Sequence, residues 1–454
     1  MRRAIFLPLL LLAACTAHPA AEVTMRAGSP ATALVALPLL ADGQRAVTAP
    51  LHGNADLARD FLDLEFQMES GRRLTMLTRF ETPVTVALAG AVPQQAAAEL
   101  QRVVGRMQAE AGLDIRMAAT GSSASIVIEF LPRRSLSRAA PTAACFVVPN
   151  VSSFAEYRRH RTDALTDWGQ LTQRQRAAIF VPSDTSPQEV RDCFHEELAQ
   201  ALGPLNDLYR LTDSVFNDDN FNAVLTPFDM LILRIHYAPD LHSGMTEAEV
   251  AARLPAILAR LNPAGIGLPA TVADIGPHDW TDAVEATFGP MGGKARAASA
   301  QRMLAIAHAE GWTDARLGLA LYAVGRSQLG FDPQAAVQAL TEARRVYANL
   351  PGAEVHVAHV DMQLAAIALK TGQPRQAIAF ADHAIPVARH SQNFSLAATL
   401  MLIKAHALER TGQTAAARSL HLDAAPLARY GFGSDKQMRA RMAEIAALDA
   451  RDGG

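Results

Sequence analysis

The stretch RDCFHEELAQALGPLND, residues 191–207, decides how the first half of this chain is read. Just ahead of it, Ser186 suits an N-cap, Pro187 a first helical residue, and Glu189 the third-residue partner of a capping box, so a helix starts there. It should run to Leu202 and stop at Gly203, where we expect the chain to reverse through a positive φ that glycine tolerates. Midway along the helix stand His195 and Glu196, yet the residue one turn on from His195 is Ala199, which has no ligand atom. Two imidazoles on one helix face, the arrangement that holds a transition metal, are therefore missing. Metal-capable side chains recur instead at Glu196 and Gln200, one turn apart, then at Asn206 beyond Gly203, with Glu197 beside them. His195 points about 100° away from Glu196 around the helix, and is expected to be an exposed or packing side chain.

Working outward, TPVTVALAG (82–90) alternates as a strand does, and PQQAAAELQRVVGRMQAEAG (93–112) has helical spacing closed by Gly112. LDIRMAA and ASIVIEFL read as two further strands, so the order argues for a mixed α/β domain. Residues 133–176 read as a polar, arginine-rich insertion, followed by a short strand, AAIFVP. Downstream, NDDN (217–220) is expected to be a solvated turn, with calcium binding as a minor alternative. LTPFDMLILRIHYAP and TEAEVAARLPAILARL (246–261) read as two helices.

Glu196-Glu197-x-x-Gln200-x-x-Gly203-x-x-Asn206 resembles, position by position, the long metzincin zinc-protease signature. The resemblance places Glu196, Gln200 and Asn206 where the three metal ligands would be and Glu197 where the catalytic base would be. It extends to Leu225-Thr226-Pro227-Phe228-Asp229 and Tyr237, with Phe216 standing at the methionine of the turn beneath the metal. Residues 50–262 also resemble a bacterial family catalogued as domain of unknown function 2927, whose members carry the run Cys-x-x-Glu-Glu-x-x-Gln-x-Leu-Gly-x-x-Asn-Asp. That run is present here from Cys193 to Asp207. The ligand chemistry departs from the protease. Zinc proteases bind metal through neutral imidazoles and leave a place for water. One carboxylate and two amides compete weakly with water for zinc, and oxygen ligands suit calcium or magnesium better. We therefore expect no cofactor, with zinc or calcium as the ions to look for. Glu197 is the candidate acid or base if any hydrolysis persists. Otherwise Glu196, Glu197, Gln200 and Asn206 form a buried hydrogen-bonded network. His236 and His242 are further imidazoles that the fold could recruit.

Residues 263–293, dense in Gly and Pro, read as a linker. Beyond it Ala323, Ala365 and Ala405 each precede a glycine (Gly330, Gly372, Gly412) by seven residues. Ala336, Ala377 and Ala417 recur in the following helices, as do Ala343, Ala384 and Ala424, at spacings of 41 and then 40 residues. Small residues at fixed positions let paired helices approach closely. This register resembles tetratricopeptide-like repeats over residues 294–450. The expected fold is thus α+β: a metzincin-like mixed α/β domain over 56–262, then an all-α repeat domain.

The chain opens MRRAIFLPLLLLAACTAHPAAE. Two arginines before an apolar run too short to serve as an anchor have the shape of a secretory signal, residues 1–14. Leu12-Ala13-Ala14-Cys15 resembles a bacterial lipobox, which implies acylation of Cys15. Thr16 in place of aspartate implies outer-membrane lipid as the partner of that anchor, with the domains facing the periplasm. Residues 15–55 then form a tether with at most one short element. Losing residues 1–14 removes Arg2 and Arg3, so 42 basic against 45 acidic residues becomes 40 against 45, a net charge moving from −3 to −5. Nothing in that balance suggests the basic surface a nucleic-acid binder needs. Of the three cysteines, Cys145 and Cys193 remain; an oxidising compartment favours a disulfide between them, two buried free thiols being the alternative. The expected function is a cell-envelope scaffold binding a protein or peptide through the repeats, the alternative a hydrolase with an atypical centre acting on peptides or peptidoglycan.

Overall fold

The computed structural model describes residues 24–27, 52–119, 123–141, 143–217, 219–271 and 273–447. The expected signal peptide, Cys15 and most of the tether lie outside the described residues. In the N-terminal half, Thr24–Ala27 (β1), Asn54–Glu65 (α1), Val84–Gly90 (β2), Ala96–Ala111 (α2), Ile115–Met117 (β3) and Ile126–Leu131 (β4) come first. Arg133–Leu136 (α3), Ala143–Pro149 (β5) and Phe154–His160 (α4) follow, then Ala177–Pro182 (β6), Pro187–Leu202 (α5), Pro227–His236 (α6) and Glu247–Leu261 (α7). The sheet runs β1-β5-β6-β4-β2-β3. Strands β3, β2, β4 and β6 are parallel; β5 lies antiparallel on β6, and β1 antiparallel on β5.

The segment 133–176 is more than the polar insertion its composition suggests. Its AACFVVP run is β5, buried along its whole length, as is β6. The two-residue period sends Cys145 and Val147 into the main core and Phe146 and Val148 into a second core with Phe154, Tyr157 and Phe180. Arginine-rich flanks hide this strand because they cap it at the surface, leaving only seven apolar residues between them. Helices α1, α2, α5, α6 and α7 supply the other side of the main core.

The C-terminal half is all helical: His278–Phe288 (α8), Gly293–Ala309 (α9), Ala315–Gln328 (α10), Pro333–Ala348 (α11), Glu354–Lys370 (α12), Pro374–His390 (α13), Phe394–Arg410 (α14), Thr414–Phe432 (α15) and Asp435–Ala447 (α16). Helix α8 falls inside the stretch read as a linker, because Trp280 buries itself against Trp312 and Tyr209 and makes α8 part of this region's core. All nine alanines singled out by spacing are buried. The turn glycines differ: Gly372 and Gly412 take φ of 78° and 81°, while Gly330 needs no positive φ to reverse the chain. Among the described residues no helix is long and apolar enough to cross a membrane.

Polar pairs and aromatic contacts join the two halves. Phe221 inserts among Tyr322, Tyr347, His356 and His359, and Asp219 meets His356 Nε2 at 2.7 Å. The 217–220 stretch is therefore not a solvated turn. Asn217 is buried with its amide on Leu211 O, and Asp219 is enclosed because an imidazole from the other half receives it. Asp218 lies outside the described residues.

Candidate functional site

Helix α5 begins as its sequence dictates, with Ser186 Oγ accepting the N–H of Glu189 at 3.1 Å. Its N-terminal half faces the helical region. Arg191 donates to Asp192 and to Gln392 O, and its guanidinium stacks near Phe394 and Tyr430. Gln188 exchanges hydrogen bonds with Asn393 and Ser395, and Tyr430 Oη donates to Glu99 at 2.8 Å. Cys193, one turn further on, is disulfide-bonded to Cys145 of β5. That covalent tie closes a 48-residue separation and in the chain-entropy model stabilises the fold by about 4 kcal/mol.

The C-terminal half carries the candidate site. Glu197 and Gln200 are 0% exposed and Glu196 5%. Residues three, four and seven positions from Cys193 share its side of the helix, so the three side chains lie on the face that the disulfide holds against the sheet. Strand β1 lies along the same helix. The four-residue network expected of the site is divided. Asn206, 2% exposed, donates its amide to Asp63 O at the end of α1, whereas neither Nε2 nor Oε1 of Gln200 has a hydrogen-bond partner among the described residues. Among the described residues no three of His, Cys, Asp and Glu gather closely enough to hold a metal ion.

The end of α5 shows two features that its own sequence does not disclose. Arg174, fully buried, donates to the carbonyl oxygens of Gln200, Ala201 and Gly203, satisfying acceptors that a helix C-terminus leaves open and placing a cation at its negative end. Burial pulls its guanidinium pKa down, opposed by the nearby Glu65 and Tyr237. Gly203 ends the helix at φ −155°, not at a positive φ. The glycine fits a tight space instead: a Cβ there would sit 3.2 Å from the ring of His236 and 3.3 Å from Glu65 Oε1, so both would have to give way by a few tenths of an ångström. His236 Nδ1 and Glu65 Oε1 are 2.8 Å apart and wholly buried, so this imidazole is committed to α1. His242 bonds only its own turn, through Ser243 O. His195 is buried rather than exposed; its Nδ1 accepts the N–H of Leu225, fixing the loop that leads into α6.

The turn at Phe216 is tied to α6 by Asp229. Its carboxylate accepts from Ser214 Oγ at 2.6 Å and from the backbone N–H groups of Val215 and Thr226, closing a capping box with Thr226. Burial outweighs these three donors and pushes the Asp229 carboxyl up to about 7. Tyr237 Oη donates to Leu202 O, so the far end of α6 also clasps α5.

Residues 54–256, from the start of α1 into α7, match the family described as Protein of unknown function (DUF2927). No curated protein and no solved structure matches the chain.

Proposed function

We propose that this chain is an outer-membrane lipoprotein of the cell envelope, acylated at Cys15 and facing the periplasm. On this reading its metzincin-like domain has given up hydrolysis, and its tetratricopeptide-like region binds a protein or peptide. The observation that carries the reading is the burial of Glu197 and Gln200 in the interior, where a catalytic base and a metal ligand would need access to water and substrate. Amides at two of the three ligand positions support it, because they hold zinc weakly and cannot acidify a bound water. The disulfide suits an oxidising compartment. The helix pairs recurring about every 40 residues are the kind of array that offers an extended surface. Phe221 and Asp219 already occupy part of that surface at α10–α12, so a partner would use the remainder.

Metal content and complementation test the reading together. The purified full-length protein should hold far less than one zinc per chain. Glu197→Gln should restore a deletion strain as well as the wild type does, and Cys15→Ala should leave the membrane fraction. One zinc per chain, lost on Glu196→Ala, together with a folded but inactive Glu197→Gln protein, would instead establish an enzyme.

A further inference from the structure

The face of the β5–β6 pair opposite α5 carries an unbalanced charge. Residues 133–161 hold six arginines, no lysine and a single carboxylate, Glu156, a balance of +5 in a chain whose whole balance is −3. Leu136 of α3 and Phe154 and Tyr157 of α4 cover Phe146 and Phe180 from that side. Burying those residues leaves Arg134, Arg138, Arg158, Arg159 and Arg161 exposed around the two short helices. None of the five has an ion pair or hydrogen bond among the described residues. The carboxylates of this face are committed elsewhere. Glu156 pairs with Arg176 and accepts from the Ser152 N–H, Asp163 meets His160 and the Leu165 N–H, and Glu129 accepts from the Phe154 N–H. A second, independent observation is where the chain enters the fold. In β1, Thr24 stands opposite Val147 and Met25 opposite Phe146, whose ring lies 5.5 Å from that of Tyr157. The segment leading from Cys15 therefore reaches the sheet beside α4. Cys15 is nine residues before Thr24, which at about 3.5 Å per residue keeps it within about 30 Å of that edge.

We infer that the α3–α4 face lies against a bilayer and binds the phosphate headgroups of anionic lipid. Guanidinium groups match phosphate oxygens two bonds at a time, and each basic residue held near an anionic surface strengthens binding by about fivefold. The rest of the chain is net negative and is repelled by the same surface, so the attraction also sets the orientation. The helical half packs on α5, on the other side of the sheet, and is thereby turned away from the membrane with its repeats open to a partner. The inference takes the nearness of the membrane from the proposed acylation of Cys15, but its chemistry stands on the five arginines alone.

Vesicle sedimentation tests it with residues 15–454 carrying Cys15→Ser, a chain that keeps every described residue and bears no acyl group. At low salt it should bind phosphatidylcholine vesicles containing about one-third phosphatidylglycerol roughly tenfold more tightly than phosphatidylcholine alone, and high salt should abolish the preference. The triple variant Arg158→Gln, Arg159→Gln, Arg161→Gln should lose more than about tenfold in affinity, and the double variant Arg134→Gln, Arg138→Gln about fivefold. A control triple, Arg375→Gln, Arg418→Gln, Arg439→Gln, removes the same charge from exposed positions of the helical half and should lose less than about threefold. All eight positions are exposed, so each variant should keep the wild-type circular dichroism spectrum. No preference for the anionic vesicles, or equal losses in the two triples, overturns the inference and turns the search to an acidic protein, even where Cys15→Ala shows in cells that the anchor exists. A preference lost in the α4 triple and kept in the control supports it, even where that cell test finds no anchor.

Discussion

Helix α5 and the helices of the C-terminal half are both enclosed by apolar packing, and differ in what accompanies it. In α10–α15 buried alanines recur at a fixed interval among larger apolar side chains. Around α5 the apolar packing of Val190, Phe194, Leu198 and Leu202 is joined by polar and covalent contacts, each used once and each from a residue outside the helix: Cys145, Arg174, Asn393, Tyr430. Alanine packing works by close approach and has no room for added atoms. Polar burial works by supplying each group with its partner and cannot lose one. The two regions should therefore fail differently, the repeats by addition and α5 by subtraction.

Removing Arg174 is the severest test on the α5 side. Arg174→Leu keeps the bulk but leaves the carbonyls of Gln200, Ala201 and Gly203 without their donor in the interior. At roughly 1–3 kcal/mol for each buried unsatisfied acceptor, the variant should lose about 5 kcal/mol. Urea denaturation with the disulfide intact measures this. A loss below about 1 kcal/mol would mean that water replaces the guanidinium and that the helix end is not sealed. On the other side, Ala384→Leu adds three carbons where exposure is 0% and should cost about 2–3 kcal/mol by overpacking. Ala379→Leu, exposed on the same helix, should stay within about 0.5 kcal/mol of wild type. Equal tolerance at both positions would break the contrast between the regions.

The same difference governs what could be read from the sequence. Repeated packing prints its period on the chain, so the helix pairs were legible from Ala336, Ala377 and Ala417 and their counterparts. The regularity even overstated itself, since Gly330 shares a place with Gly372 and Gly412 but not their backbone. For α5, the cap at Ser186 and the stop at Gly203 were legible because they are local. The reason for Gly203 was not, because Glu65 and His236 stand 171 residues apart before the fold joins them. Arg174 gave no signal at all among the other arginines of its segment. Asp219 carried a misleading one: a turn composition reads as solvated unless the imidazole 137 residues away is known to meet it.

The seam between the regions gives the smallest effect and the finest test. His359 lies against Phe221, with ring centroids 4.5 Å apart, and its Nε2 accepts from the Asn393 amide at 3.2 Å. Burial, with smaller contributions from His356 and Arg326, lowers its pKa to about 3. The unfolded chain takes up this proton below about 6.5 while the folded one refuses it. Its contribution to stability is thus present above that pH and is lost as pH falls toward 3. Asp229 acts in the opposite sense: buried and raised to about 7, it contributes most below about 4 and loses that contribution as pH rises toward 7. The wild-type profile mixes the two, so the informative quantity is the stability difference between wild type and His359→Gln. That deficit should shrink by about 1–2 kcal/mol between pH 7.5 and pH 5, because only the wild type pays for excluding a proton. A deficit constant with pH would mean that His359 is protonated in place. Water would then reach Phe221, and the seam would behave as an exposed surface instead of a third enclosed region built, like α5, on polar partners.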